Sequence, residues 1–344
     1  MIGISRVMRA AALIAVAASA AAAYAQVSPG YQPPRTAEGK PDIQGVWSTA
    51  TASPVERPAG VPLVITREQA DQIERGTLFN QRSARTDASY VAPDAGAPER
   101  GRPLPPVGNY DVAYTDPGSR VISIGGELRS SWLVYPENGR MPELTAAGRA
   151  LRASSPRARG SGYDNPEERG LGERCVLLSG GPPLRSGLYN NNIQIVQTPE
   201  HVMFEVEMVH DVRIARVNGR HAANGLERWM GDSVARWEGD TLVVETTSIN
   251  ADQRRDRTLL SPTGKVTERF TRISDRQMLY QFEVNDPATY ASVWRGETAL
   301  NRLDEPMFEY ACHEGNYGLH NILSGGRQND LRGIPNATDR NRTE

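Results

Sequence analysis

Few side chains in this sequence suit acid–base chemistry near neutral pH. Five histidines stand at 201, 210, 221, 313 and 320, and imidazole is the side chain whose ordinary titration falls in that range. His210 is set apart by its surroundings. From Val202 the even positions run Val202, Phe204, Val206, Met208, His210, Val212 and Ile214, while the odd ones carry Glu205, Glu207, Asp211 and Arg213. That alternation predicts one long strand with a buried face. It leaves His210 alone in an apolar row and puts Asp211 and Arg213 on the opposite, outer face. Two readings stand side by side: a core histidine satisfied by a backbone group, or an acid–base group facing a cavity. His201, in a turn, and His221, after Gly219-Arg220, are expected to be solvated.

A carboxylate partner for His210 is sought among the acids of later strands. Glu268 alternates with Val266 and Phe270, so it either faces the core, needing a cation or a proton, or reaches solvent at a strand end. Cys312-His313-Glu314-Gly315-Asn316-Tyr317 is the densest polar cluster. The candidate catalytic residues are therefore His210, Glu268, His313 and Glu314. Tyr189, Asn191, Asn192, Arg213, Trp229, Asn316 and Tyr317 are the candidate substrate-binding residues, with Trp229 alternatively a core side chain. His210, His313, Glu314 and His320 have metal-ligating chemistry, but their spacings match no common metal motif, and neither a metal nor a cofactor is expected. There is no Gly-x-Ser-x-Gly and no phosphate-binding P-loop, and the prolines of Ser179-Gly180-Gly181-Pro182-Pro183 bar a dinucleotide turn.

Cys175 and Cys312 are the two cysteines in 344 residues. They read as one disulfide in an oxidising compartment, with two buried thiols, or Cys312 as a nucleophile beside His313, as alternatives. A bond between them would bring His313, Glu314 and Asn316 toward the opening rimmed by Tyr189, Asn191 and Asn192.

The elements that must position these groups are strands. Asp42–Ser48 opens as a strand, with Gly45 and Trp47 reminiscent of the start of lipocalin-type barrels. Thr66 and Gln69 form a capping box on a short helix over Arg67–Arg75, and residues 82–108 read as a long arm. Tyr110–Ile124 and Leu128–Tyr135 read as strands, and Thr145 caps a helix to about Ser154. From Asn190 the pattern is a meander. Hairpin turns are expected at Thr198–His201, Glu238-Gly239-Asp240 and Ser274-Asp275-Arg276, with further strands at Ser292–Leu303 and Met307–Cys312. The predicted fold is mainly β, an antiparallel meander closing into a lipocalin-like barrel or a sandwich.

The N-terminus carries Arg6 and Arg9, an apolar Ala-rich run and Ala23-Tyr24-Ala25, the pattern of a cleaved export signal. The run is too short for the roughly 20 apolar residues of a membrane span. A periplasmic or secreted protein without membrane insertion is expected. The expected layout is a signal peptide (1–25), an N-terminal strand, helix and arm (26–108), a β domain (109–326) and a disordered tail (327–344). The net charge of −2 lacks the basic excess of a nucleic-acid binder.

Several polar stretches form a set: Tyr189-Asn-Asn-Asn-Ile193, Glu207-Met-Val-His-Asp-Val-Arg213, Arg228-Trp-Met-Gly-Asp-Ser233, Arg236–Thr247, Glu268-Arg-Phe-Thr271 and Tyr310–Gly318. Together they resemble a family of exported bacterial proteins, over about Asp42 to Ser324. The resemblance implies one shared functional surface and no particular activity. The leading expectation is a periplasmic enzyme acting on a small organic molecule by elimination, isomerisation or hydrolysis. The alternative is a lipocalin-like binding protein without turnover.

Overall fold

Strand-forming segments, each bounded by turn residues, account for most of the chain. The computed structural model describes residues 30–81, 83, 116–154, 162–178, 181–223, 225–256 and 258–334. The expected export signal, the expected arm beyond residue 83 and the start of the expected 110–124 strand lie outside the described residues. Five strands come first: β1 (Gly45–Ser48), β2 (Val64–Ile65), β3 (Ile122–Ile124), β4 (Glu127–Arg129) and β5 (Leu133–Tyr135). Eight follow: β6 (Asn192–Gln197), β7 (His201–Val206), β8 (Asp211–Val217), β9 (Asp232–Glu238), β10 (Thr241–Thr247), β11 (Lys265–Arg272), β12 (Gln277–Asn285) and β13 (Trp294–Leu303).

The strands β6 to β13 pair in chain order, and β1 inserts between β6 and β13 to close a nine-stranded barrel. β5 adds to β13 outside the ring, and β2, β4 and β3 form a separate small sheet. The ring is antiparallel except at β8–β9, which run parallel over Ala215–Val217 and Ser233–Ala235. A strictly antiparallel meander therefore does not hold at this one seam, where the long 218–231 connection carries the chain back before it re-enters the sheet.

Inside the barrel, apolar side chains from every strand meet. Phe204, Phe270, Tyr280, Phe282 and Trp294 form a row of ring contacts with centroids 4.9 to 5.9 Å apart, the spacing at which aromatic pairs attract. Trp47 is fully buried and donates its indole N–H to the Ile43 carbonyl at 3.0 Å. The guanidinium groups of Arg272 and Arg302 lie over its ring at 5.6 and 5.5 Å. These contacts explain how a four-residue strand can close the barrel: β1 brings a large side chain that both ends of the meander pack around.

Local signals were obeyed closely. Helix α1 (Arg67–Gly76) begins with the expected reciprocal Thr66–Gln69 capping box, and α2 (Ala146–Ala153) with Thr145 accepting from the Gly148 amide. All three hairpin turns form where expected. Longer-range expectations need correction. Leu128–Tyr135 is two strands broken at Ser130–Trp132, residues 116–121 are irregular, and Met307–Cys312 pairs with no strand. A short helix, α3 (Ala251–Asp256), follows β10. Residues Tyr317–Leu331 form a helix, α4, so regular structure runs past position 327.

The largest correction concerns the segment 202–214. It is a hairpin, not one strand. Met208–His210 make a 3₁₀ turn in which Val209 and His210 hold left-handed φ values of 61° and 44°, a conformation that β-branched residues adopt rarely. The register pairs Val206 with Asp211 and Phe204 with Arg213. Residues directly opposite on antiparallel strands point to the same face, so the inward set changes from even to odd across the turn. Asp211 and Arg213 are buried, while Val212 and Ile214 are 41% and 53% exposed. His210 sits at the tip, exposed. The predicted assignment of faces is inverted.

Candidate functional site

The inverted register sends Arg213 into the barrel, where it meets Glu268. Both side chains are buried, at 1% and 0% exposure. Arg213 Nη2 donates to Glu268 Oε1 at 3.0 Å, and Nη1 donates to Oε2 and, at 3.2 Å, to Thr246 Oγ1. Tyr280 Oη donates to Glu268 Oε1 at 2.8 Å and accepts from the Leu184 amide at 2.8 Å. Arg213 also lies 4.9 Å from the Phe204 ring centroid. Glu268 thus faces the core, as one sequence reading allowed, and its cation is a residue the sequence placed outside. Burial, then the neighbouring Glu268 carboxylate, hold the Tyr280 phenol well above its ordinary pKa. This network pairs both Nη atoms of Arg213 and both Glu268 oxygens, leaving Arg213 Nε without a partner among the described residues; sealed from solvent, it orders a core and leaves Glu268 no access to a substrate.

The remaining candidates fall into two groups. Asn191, buried, braces a loop: its side-chain amide donates to the carbonyls of Asp116 and Gly187 at 2.7 and 3.1 Å, and its Oδ1 accepts from the Gly187 amide at 2.6 Å. Asn192 is half-buried at the start of β6. Asn316 caps α4 by accepting from the Leu319 amide at 3.2 Å, and donates to the Glu173 carbonyl at 2.8 Å. These are architectural roles. His313, Glu314 and Tyr317 are exposed, as is Trp229 in the 228–231 turn. Metal-binding groups of three or more His, Cys, Asp or Glu are absent among the described residues.

The expected disulfide is present. Cys175 and Cys312 are bonded, with Cα atoms 5.7 Å apart. It carries the 310–317 segment to the tip of the β7–β8 hairpin, where His210 Nδ1–H donates to the Tyr310 carbonyl at 3.2 Å. Tyr310 is hydrogen-bonded in turn to Tyr189, and burial with that neighbour raises its phenol pKa. Of the polar stretches that the sequence grouped together, the Tyr189–Ile193 segment, the 207–210 turn and the 310–317 segment lie at this end of the barrel, whereas the Glu238-Gly239-Asp240 turn lies at the other.

What they surround is a cavity of about 380 Å³, lined by Val55, Leu178, Pro183, Met208, Tyr189 and Arg185 among others. Its position follows from topology. Tyr189 leads into β6, Met208 lies in the β7–β8 turn, and Thr258, also lining it, belongs to the β10–β11 connection, so all belong to one end of the ring. Three bonds hold its walls. The Asp211 carboxylate accepts from the Leu178 amide at 3.0 Å, Asn191 pins Gly187, and Leu184 is tied to Tyr280. Met208 is presented by the left-handed turn, and backbone of that kind concentrates at functional sites.

Arg185 is the cation of this cavity. Among the described residues it has no ion pair and no hydrogen-bond acceptor. Burial pulls its guanidinium below the ordinary pKa, with Tyr290 and Tyr280 acting the other way; a guanidinium nonetheless keeps its proton in proteins. Tyr290 is itself pushed up to about 12, chiefly by burial, so the two phenols beside Arg185 are neutral at physiological pH. The site offers one positive charge, hydroxyls from Ser186 and Thr258, the Tyr189 ring and an otherwise apolar wall. Sequence reasoning missed Arg185 because it is one arginine among many and follows two prolines in a loop without periodicity. Of the sequence candidates, Tyr189 alone lines the cavity.

A second charged cluster lies on the 218–232 connection. His221, expected to be solvated, is held between Asp232 and Glu245, with Nδ1 3.1 Å from the first carboxylate and Nε2 3.2 Å from the second. Arg216 and Lys265 complete it at 2.8 and 3.0 Å.

Comparison of the chain with protein-family profiles, with curated proteins and with solved structures finds no match.

Proposed function

We propose that this protein binds a small organic anion in the cavity at the barrel end, without a catalytic group of its own. The observation that carries the reading is Arg185: a guanidinium with no anionic neighbour among the described residues, in a cavity of about 380 Å³. Burying a charge without a partner is costly, and a ligand anion removes that cost when it binds. The rest of the lining is mainly apolar with few polar groups, the composition of a small-molecule site.

The alternative of an acid–base enzyme draws less support from the geometry. General acid–base catalysis needs a titratable group within hydrogen-bond reach of the substrate. His210 is exposed on the hairpin tip and Glu268 is sealed in the core, so the two do not converge on one space. The basic, Ala-rich leader supports an exported location, to which the disulfide adds weakly. Among the described residues no helix is long and apolar enough to cross a membrane.

A thermal-shift and calorimetric screen of small carboxylates, sulfonates and phosphate esters tests the reading. A true ligand at 100 times its Kd stabilises the fold by about 2.7 kcal/mol, and its effect falls sharply in Arg185→Ala. Ligands that bind the Arg185→Ala protein as tightly as wild type would refute the proposal, as would a screen in which nothing binds.

A further inference from the structure

The same cavity specifies the class of anion, and the argument rests on the reading just given. We infer that the ligand is a monocarboxylate with an apolar body, its carboxylate paired side-on with the Arg185 guanidinium and its body lying against Tyr189, Met208, Leu178 and Val55.

Three observations converge on this class. The first is charge. Arg185 is the cation among the described lining residues, and the phenols beside it, Tyr280 and Tyr290, are neutral and held so by burial. One positive charge neutralises one negative charge. A dianion such as a phosphate monoester would bring a second negative charge into a partly desolvated space with no partner for it, which is strongly unfavourable. The second is shape. A guanidinium presents a planar fork of N–H donors that matches the two oxygens of a carboxylate. Leu184, the residue before it, is fixed by the hydrogen bond its amide N–H donates to Tyr280 Oη at 2.8 Å, so the backbone that carries the fork is anchored to the barrel core.

The third is the remainder of the wall. Val55, Leu178, Pro183, Leu188 and Met208 supply aliphatic surface and Tyr189 an aromatic ring, against two hydroxyls from Ser186 and Thr258. A sugar acid or an amino acid would bury more polar groups than this lining can satisfy. A compact aliphatic or aryl acid buries its body and leaves its carboxylate to Arg185. The cavity volume, near the lower end of the range for small-molecule sites, suits a body the size of one ring or a short chain.

Calorimetry on the full disulfide-bonded protein, with four probes, tests the assignment. Phenylacetate and hexanoate represent the class, phenylacetamide is the neutral isostere, and phenyl phosphate is the dianion. The two acids are expected to bind about tenfold or more tightly than the amide, the difference that a charge-assisted hydrogen bond confers, and more tightly than phenyl phosphate. Arg185→Gln, checked for folding by circular dichroism, is expected to erase the preference for acid over amide. Arg185→Lys keeps the charge without the fork and should recover only part of it. Tighter binding of phenyl phosphate overturns the monocarboxylate class while leaving an anion site at Arg185. Equal binding of amide and acid overturns both. Failure of all four probes, when other anions from the broad screen bind, overturns the class alone.

Discussion

Replacing Arg213 by Met decides between the two possible registers of the β7–β8 segment. On the outer face of one long strand, as the alternation suggests, Arg213 would form at best an exposed ion pair, worth under about 1 kcal/mol. In the barrel it is 1% exposed and donates two hydrogen bonds to Glu268 and one to Thr246. Removing it leaves the Glu268 carboxylate buried with the Tyr280 hydroxyl as its remaining partner among the described residues. Breaking a buried pair by deleting one member costs about 3–5 kcal/mol. At about 1.5 °C per kcal/mol for a chain of this length, the midpoint of thermal unfolding should fall by roughly 5 °C. The double variant Arg213→Met, Glu268→Leu removes both charges at once. It should recover at least half of that loss, because hydrophobic replacement of a whole buried pair is often close to neutral, although Tyr280 then loses its acceptor. Urea unfolding followed by tryptophan fluorescence measures all three proteins. A single-variant loss under about 1 kcal/mol, or a double variant no better than the single, would refute the buried pair and the register with it.

Other expectations can be checked with the same assay. Reducing the Cys175–Cys312 bond, which closes a span of 137 residues, should destabilise by about 5 kcal/mol in the chain-entropy model, seen as a lower urea midpoint with reductant; an unchanged midpoint contradicts it. Burial pushes the Asp232 carboxyl up, but the Ala222 amide, Arg216 and His221 outweigh it and hold it below its ordinary value; Glu245 is likewise raised by burial and lowered further by Lys265 and His221. Both carboxylates therefore give up their protons more readily folded than unfolded. Their contribution is complete above the ordinary carboxylate range and is lost as pH falls through the folded values. Asp232→Asn should thus flatten the decline of the unfolding temperature between about pH 6 and about pH 3; a parallel decline counts against the cluster. Gly231 has φ +76°, and a Cβ there would press on Thr246, Ile249 and the Thr247 carbonyl within 2.6–2.8 Å, so Gly231→Ala should cost more than about 1 kcal/mol. His210→Ala removes an exposed side chain with one bond to Tyr310 and should change stability by less than about 1 kcal/mol.

Much of this fold was legible because it is local. A capping box is written in four consecutive residues, and Thr66 and Gln69 formed it as read. Hairpins at Glu238-Gly239-Asp240 and Ser274-Asp275-Arg276 need only alternation on each side and a turn between, and both formed. The cysteine pair needed no geometry at all, since two thiols in a chain expected to be exported have one possible partner each. The candidate site was legible only as a neighbourhood. Tyr189, Asn191 and the 310–317 segment do gather at one barrel end, but most of them brace walls or lie exposed on the surface around it.

What the tertiary structure alone decided came from contacts between residues distant in sequence. Period-two alternation reports which side chains share a face only while the strand continues. Four residues, Glu207–His210, end one strand and start another, and the facing assignment of everything after them reverses. Nothing in those four residues is glycine or proline to announce the turn; it is the pairing of Phe204 with Arg213, and of Arg213 with Glu268 55 positions on, that selects it. Barrel closure by β1 and the seating of Arg185 beside Tyr280 and Tyr290 are of the same kind. The chain by itself determined its local elements and its one crosslink, because those depend on near neighbours. Which charges lie in the core, and which one lines a cavity, depends on long-range packing, and only the closed barrel could settle that.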